Sequence, residues 1–299
     1  MGFLDAIRGL FAGGEGGRDM AELCRRLGLS VEELRAIRPQ YHVYRIAKRG
    51  GGQREIAAPE DGLRAVQRGI LRKVLGRLRA HPAVRGFERG HSIVTNAREH
   101  CGRAVVVRMD IRDFFPSTTA KRVQAYFLAI GWDRGAARVL TELTTYCGVL
   151  PQGAPTSPRL ANLVNYALDS SLDTLARKRG GTYTRYADDM VFSFVEDNRQ
   201  TVHTVVRVTG LVVKKYGYRL HMGRKLRIRR RHQRQEVTGL VVNARTNLPR
   251  STRRLLRAVE HHQRVGRPAT LTAEQLNGWR ALQSMIRDQA ADQASEEPA

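Results

Sequence analysis

Apolar residues recur along this chain in two rhythms, a helical one of three to four residues and a strand-like one of β-branched runs or alternation. The helical rhythm is clearest over Asp61 to Arg79, where Leu63, Val66, Ile70, Leu71, Val74, Leu75 and Leu78 share a face and Pro82 sets the limit. It returns over Thr119 to Ile130, over Arg134 to Tyr146, as one long helix over Pro158 to Arg179 closed by Gly180-Gly181, and over Arg199 to Tyr216. Ahead of these, Ser30-Val-Glu-Glu33 has the serine and glutamate of a capping box opening a short helix. The strand rhythm marks Tyr41 to Ile46 and Arg54 to Ala58, which flank Gly50-Gly51-Gly52 and read as a hairpin. Ala104-Val-Val-Val-Arg-Met-Asp110 is short, apolar and β-branched, hence a buried strand. Thr182 to Tyr186 and Met190 to Val195 are strands around Ala187-Asp188-Asp189, and Leu226 to Ile228 and Glu236 to Val242 are two more. From Ser251 onward the pattern is helical and basic, and a disordered tail is expected after Gln289.

These elements predict an α+β protein without a regular βαβ repeat or internal duplication. Neither a Gly-x-x-x-x-Gly-Lys-Ser/Thr loop nor a strand–Gly-x-Gly-x-x-Gly–helix unit is present, which argues against a P-loop NTPase or a Rossmann enzyme. Gly13 to Gly17 separates a short leader from the first helical region.

Charge narrows the partner. Lys plus Arg number 52 against 28 Asp plus Glu, a formal net charge of +24. Such self-repulsion is tolerable when a polyanion is the usual partner, and nucleic acid rewards it through counterion release. The basic residues thicken at Arg224 to Arg234 and Arg250 to Arg257 and are otherwise spread along the chain, as in a folded protein with a basic groove. The three cysteines, Cys24, Cys101 and Cys147, lack metal-ligand or redox spacing, so free thiols in a reducing cytoplasm are expected. No apolar run reaches membrane-spanning length. The start, Met1-Gly-Phe-Leu-Asp-Ala-Ile-Arg8, carries Asp5 and Arg8 where a signal peptide is continuously apolar. Ala6 stands where a myristoylation site has Ser or Thr.

Three acids stand out from the solvated majority. Asp110 ends an apolar strand, and Asp188 and Asp189 are adjacent between two apolar strands. A buried carboxylate is costly unless paired or bound to metal. A strand end and a hairpin tip of one sheet can bring such groups together, and their repulsion is relieved by Mg²⁺, which favours a few carboxylates plus substrate phosphates. Two such ions clamp the attacking and leaving oxygens of a phosphoryl displacement. Asp pairs also occur in ordinary turns, so the pair alone leaves both readings open.

Read together, the motifs resemble reverse transcriptases. Tyr186-Ala187-Asp188-Asp189 is similar to the Tyr-x-Asp-Asp hairpin of the palm. Met109-Asp110-Ile-Arg-Asp-Phe-Phe-Pro-Ser117 is similar to the first catalytic strand, and Leu150-Pro-Gln-Gly-Ala-Pro-Thr-Ser-Pro-Arg-Leu-Ala-Asn162 to the segment leading into the palm helix. Arg45-Ile-Ala-Lys48 through Arg54-Glu-Ile56 and Pro59 resembles the fingers hairpin. The resemblance covers roughly Tyr41 to Val242 in the family's order. Thr95-Asn96-Ala-Arg-Glu-His100 resembles the Asn-Ala-x-x-His signature of the retron branch, and Val237-Thr238-Gly239 its Val-Thr-Gly. The absence of a maturase or endonuclease region after the thumb is expected of the same branch.

The resemblance implies a right-hand polymerase: an N-terminal helical extension over 1–40, fingers and palm over 41–242 with an antiparallel sheet plus helices, a short helical thumb over 243–290 and a disordered tail over 291–299. It implies that Asp110 and Asp188 bind two Mg²⁺ ions, with Asp189 and the Ile111 carbonyl completing the site. Phe115 takes the steric-gate position, core packing being the alternative. Gln152 borders the nucleotide, and Gly153 allows close backbone approach. Lys48 and Arg54 reach the triphosphate. Lys225 protonates departing pyrophosphate, although His221-Met-Gly-Arg224-Lys225 departs from the family's Asn-x-x-Lys-Thr and leaves Arg224 as a rival. Asn96, His100, Thr238 and Gly239 contact RNA, and Arg253, Arg254 and Arg257 lie along the template–primer backbone. The implied partners are dNTPs, an RNA–DNA hybrid, a cognate non-coding RNA that is template and 2′-hydroxyl primer, and a separate effector protein in anti-phage defence. Another bacterial reverse transcriptase branch and a non-catalytic RNA-binding scaffold are the alternatives.

Overall fold

The computed structural model describes residues 18–47, 51–221, 223 and 225–291. In chain order the elements begin with helices α1 (Met20–Leu27) and α2 (Val31–Ala36), hairpin strands β1 (Tyr41–Ala47) and β2 (Gln53–Pro59), and helix α3 (Asp61–Lys73). Helix α4 (Ile93–Arg98), strand β3 (Val105–Arg112) and helices α5 (Ala120–Ala129), α6 (Arg134–Thr144), α7 (Ser157–Val164) and α8 (Tyr166–Arg177) follow. Then come strands β4 (Gly181–Tyr186) and β5 (Asp189–Phe194), helix α9 (Arg199–Lys215), strands β6 (Arg219–Leu220), β7 (Arg227–Arg230), β8 (Glu236–Val237) and β9 (Leu240–Val241), and helices α10 (Arg250–Arg264) and α11 (Ala273–Ala291). The result is α+β, and the pairings between these named strands are antiparallel. The leader, Lys48, Arg224 and residues 292–299 lie outside the described residues.

The chain divides into two units that interleave along the sequence. The first comprises Met1–Pro82, Ile111–Ser171 and Gly210–Leu220, and the second Ala83–Asp110, Leu172–Thr209 and His221–Ala299.

In the first unit, Ser30 and Glu33 form the reciprocal capping box that opens α2. β1 and β2 pair antiparallel, Tyr44 opposite Ile56. The fully buried Gln67 on α3 donates to the Tyr41 hydroxyl at 2.9 Å and the Leu143 carbonyl at 2.8 Å, tying the hairpin base to α6. α3 stops at Lys73, short of the expected Arg79; Leu75 and Leu78 stay buried in the turns that follow, so their apolar spacing reports burial and not helix. The single helix expected over Pro158 to Arg179 is two, broken at Asn165. The buried Asn165 amide donates to the Ala161 carbonyl at 2.7 Å and the Tyr218 hydroxyl at 2.8 Å and accepts from Arg122 at 2.7 Å. Side-chain bonding of this kind competes with the helix ladder and ends it.

The second unit is built on β4, β5, β3 and β7. β3 pairs with both β5 and β7, and β4 with β5. One sheet face stacks Val105, Val107 and Met109 opposite Phe194, Phe192 and Met190, all at most 2% exposed. On the other face Val106 and Val191 pack with Val94 and Ala97 of α4, Leu256 and Val259 of α10, and Leu276 and Ile286 of α11. The strand expected over Glu236 to Val242 is the two-stranded β8–β9 hairpin, because Thr238 and Gly239 both have positive φ (+46° and +83°), as a two-residue type I′ turn requires.

Candidate active site

Alternation along β3 and β5 decides which side chains meet. Asp110 and Asp189 are directly opposed cross-strand partners, so their side chains share a face, and Tyr186 pairs with Asp189 across the two-residue turn Ala187-Asp188. All three carboxylates therefore lie at one end of one sheet, within the second unit. Helix α4 and its neighbours cover the same face farther along the strands, at Val191 and Val106, and leave the acidic end half-exposed.

Two cations hold this cluster. Lys225 Nζ reaches both oxygens of Asp110, at 2.8 and 2.9 Å. Arg108 Nη2 donates to Asp189 Oδ2 at 2.6 Å. His221 Nε2 lies 3.7 Å from Asp110, and the His221 backbone N–H donates to the Asp110 carbonyl at 2.8 Å. Burial pushes the Asp188 carboxyl above the usual carboxylate range, and the neighbouring Asp110 charge adds to the push. Asp189 is raised as well, burial outweighing the attraction of Arg108. Crowded oxygens that resist ionisation are the donor chemistry a hard divalent cation relieves. Among the described residues, no three acidic, histidine or cysteine side chains are already drawn together around one point.

Around the acids lies a strongly basic surface. Arg227 and Arg229 of β7 stand opposite Arg108 and Val106 of β3, and these four with Arg234 and Glu236 line a cavity of about 250 Å³. The Ala187–Asp188 turn is braced by neighbouring backbone. Arg85 N–H donates to the Arg185 carbonyl at 2.9 Å, and Arg185 N–H to the Ala83 carbonyl at 2.9 Å. The buried Arg185 guanidinium donates to the Ala187 carbonyl at 2.9 Å. Gly86 lies so close that a Cβ there would sit 2.6 Å from the Ala187 nitrogen.

The other expected site residues divide by place. Arg54, Ile111, Phe115, Gln152 and Gly153 belong to the first unit. Arg54 is exposed on β2, and Phe115 is half-buried with its ring 5.5 Å from that of Phe114. The close approach at Gly153, φ +123°, is made by β2: a Cβ there would sit 2.9 Å from the Ala57 carbonyl oxygen, and the Gln152 carbonyl accepts from Ala57 at 2.8 Å. The sequence reading had reserved that approach for a nucleotide. Asn96 and His100 are fully buried, which takes both side chains away from direct RNA contact. The His100 ring bridges Ser193 Oγ at 2.7 Å and Thr184 Oγ1 at 2.8 Å, clamping α4 to β4 and β5. The Asn96 amide has no hydrogen-bond partner among the described residues. Thr238 Oγ1 donates to the Ile93 carbonyl at 2.8 Å, so the β8–β9 turn docks on α4. Arg253, Arg254 and Arg257 are exposed along α10. Lys48 and Arg224 lie outside the described residues.

The sequence reading missed Arg108, His221, Arg185 and Gly86. Arg108 had a signal: a charge inside an apolar strand, two residues from Asp110 and so on its face.

Comparison with known proteins agrees with this geometry. The family described as reverse transcriptase (RNA-dependent DNA polymerase) matches residues 46–240. The Retron Mx162 reverse transcriptase of Myxococcus xanthus is 38% identical over 88% of this chain and 63% of its own length. The Retron Mx65 reverse transcriptase of Myxococcus xanthus is 35% identical over 92% of this chain and 70% of its own. The Retron Ec86 reverse transcriptase of Escherichia coli is 34% identical over 87% of this chain and 81% of its own. The chain thus spans less than two thirds of the first of these relatives.

Proposed function

The chain belongs to the reverse transcriptase family, in its retron branch, and from that membership we propose that it is an RNA-directed DNA polymerase of the right-hand type, copying the structured RNA of its own retron. The observation that carries the reading is the cross-strand pairing of Asp110 with Asp189, with Asp188 beside them at the turn.

In this reading Asp110 and Asp188 would hold two Mg²⁺ ions, with Asp189 and the Ile111 carbonyl completing the set and Lys225 and Arg108 released from Asp110 and Asp189. Magnesium bound by these residues would supply Lewis acidity to the attacking hydroxyl and counter-charge to the leaving pyrophosphate. In this reading Lys225, which reaches Asp110, hands a proton to that pyrophosphate, with Arg224 the alternative donor. The arginines of the neighbouring cavity offer charge to phosphodiester oxygens. By the family's pattern Lys48 and Arg54 take the triphosphate, Phe115 faces the sugar, Gln152 and Gly153 border the nucleotide, and Arg253, Arg254 and Arg257 follow the template–primer backbone. Priming from a 2′-hydroxyl of the cognate RNA, a branched RNA–DNA product, a separate effector in anti-phage defence and a cytoplasmic setting complete the reading. No helix among the described residues is long and apolar enough to cross a membrane.

The test is to purify the protein from its host and sequence the nucleic acid that comes with it. A DNA strand joined covalently to RNA through a 2′-hydroxyl supports the reading. Unextended RNA alone, from protein that also fails to extend a primer on a generic RNA template with Mg²⁺ and dNTPs, favours a non-catalytic RNA-binding scaffold.

A further inference from the structure

Phe87 combines a left-handed backbone with a half-exposed aromatic ring beside the Ala187–Asp188 turn. It stands in the left-handed region at φ +61°, where a bulky residue costs about 1–2 kcal/mol. Its side chain is 49% exposed. A glycine would hold the same backbone without strain. Strain maintained by its surroundings gathers at functional sites, and here the surroundings are those of the Ala187–Asp188 turn. Gly86 presses on the Ala187 nitrogen, Arg85 is bonded to the Arg185 backbone and paired with Glu99 at 2.7 Å, and the Phe87 ring lies 6.4 Å from the Tyr186 ring. The segment that braces the turn thus ends by presenting an apolar ring beside Tyr186, the cross-strand partner of Asp189.

We infer that Phe87 is a stacking platform for a nucleobase next to the reacting 3′ end of the primer. The inference rests on the polymerase reading, which requires that end to reach Asp110 and Asp188 and so brings its terminal bases to the flank of the turn. Every base has an apolar π-face, and an exposed aromatic ring gains about 1–3 kcal/mol by stacking on one. Exposed Arg89, two residues on, offers charge for the adjoining phosphate. Phe87 would then act in binding and register of the primer terminus, not in the chemical step.

The experiment uses the full chain and a DNA primer on an RNA template, with 2-aminopurine as the primer's 3′-terminal base and no dNTPs present. Phe87→Gly relieves the backbone strain, so it folds with unchanged or higher Tm, and it should weaken template–primer binding by about 5- to 150-fold, the stacking energy above expressed as a ratio. Phe87→Leu keeps bulk without a π-face and should lose most of the same affinity. Phe87→Trp should keep it and change the 2-aminopurine emission. Wild-type affinity and emission in Phe87→Gly would overturn the inference and leave Phe87 an ordinary surface ring. Failure of the wild type to extend the primer once dNTPs are added would instead overturn the polymerase reading, since binding is measured separately.

Discussion

Asp110 and Asp189 face each other across β3 and β5, yet each carboxylate has its own cation, Lys225 on the first and Arg108 on the second. Arg108 is itself two residues from Asp110 on the same strand face, so one strand supplies both an acid of the cluster and the counter-charge of the opposite acid. Two of the three carboxylates are thus paired from within the chain, and on the proposed reading these are the cations a divalent ion would replace.

Arg108→Met should therefore destabilise the protein more without metal than with it. The Arg108 and Asp189 side chains are 26% and 21% exposed, so the loss is that of a partly screened pair, about 1–2 kcal/mol. In a chain of this length that lowers Tm by about 2–6 °C. Melting curves in EDTA and in Mg²⁺ check it: the drop should be clearly smaller in Mg²⁺, and an equal drop would mean that the ion does not take over from the arginine.

His100 gives a pH signature far from the acids. Burial holds its ring at a pKa of about 3, against about 6.5 in an unfolded chain. Between those values the unfolded state binds a proton that the folded state refuses, so stability is lost as pH falls below about 6.5 and retained above it. For one such histidine the loss between pH 7 and pH 5 is about 2 kcal/mol. His100→Gln should be less stable than the wild type at pH 7, and the gap should shrink by that amount at pH 5. Urea midpoints at the two pH values measure it, and a constant gap would contradict the buried neutral ring.

Gly86→Ala forces a Cβ against the Ala187 backbone, which cannot move without moving Asp188. Misplacement of a reacting group by about 1 Å can cost about 100-fold in rate. We expect kcat to fall at least about tenfold while template–primer affinity changes little. A loss confined to affinity would point to another role for this glycine.

What was legible in the sequence was local. The β-branched run ending at Asp110 and the acidic pair between two apolar strands were readable because strand alternation fixes which side chains share a face. The break at Asn165 was not, because it depends on Tyr218 and Arg122, distant in sequence. The Asn96–His100 motif was visible, and of its two readings, RNA contact or packing of a connecting helix, the buried ring on Thr184 and Ser193 supports the packing one, with partners on strands about ninety residues away that no local pattern names. The close approach at Gly153 is made by the Ala57 carbonyl of β2, a partner distant in sequence that the Gln-Gly pair does not name.

Phe115 separates two roles. If it faces the sugar, Phe115→Ala should cut the preference for dNTPs over rNTPs by about tenfold or more, because the exclusion is steric and disappears with the ring. Paired single-nucleotide insertion rates check this. Unchanged sugar discrimination with a lowered Tm would return Phe115 to packing beside Phe114.

The most direct measurement is single-turnover primer extension on an RNA template by Asp188→Asn, with RNA affinity determined in the same preparation. Asparagine keeps the size of the side chain and removes the charge that would hold magnesium. The account predicts that DNA synthesis disappears while RNA binding stays within about twofold of the wild type. Polymerisation at a wild-type rate would contradict it.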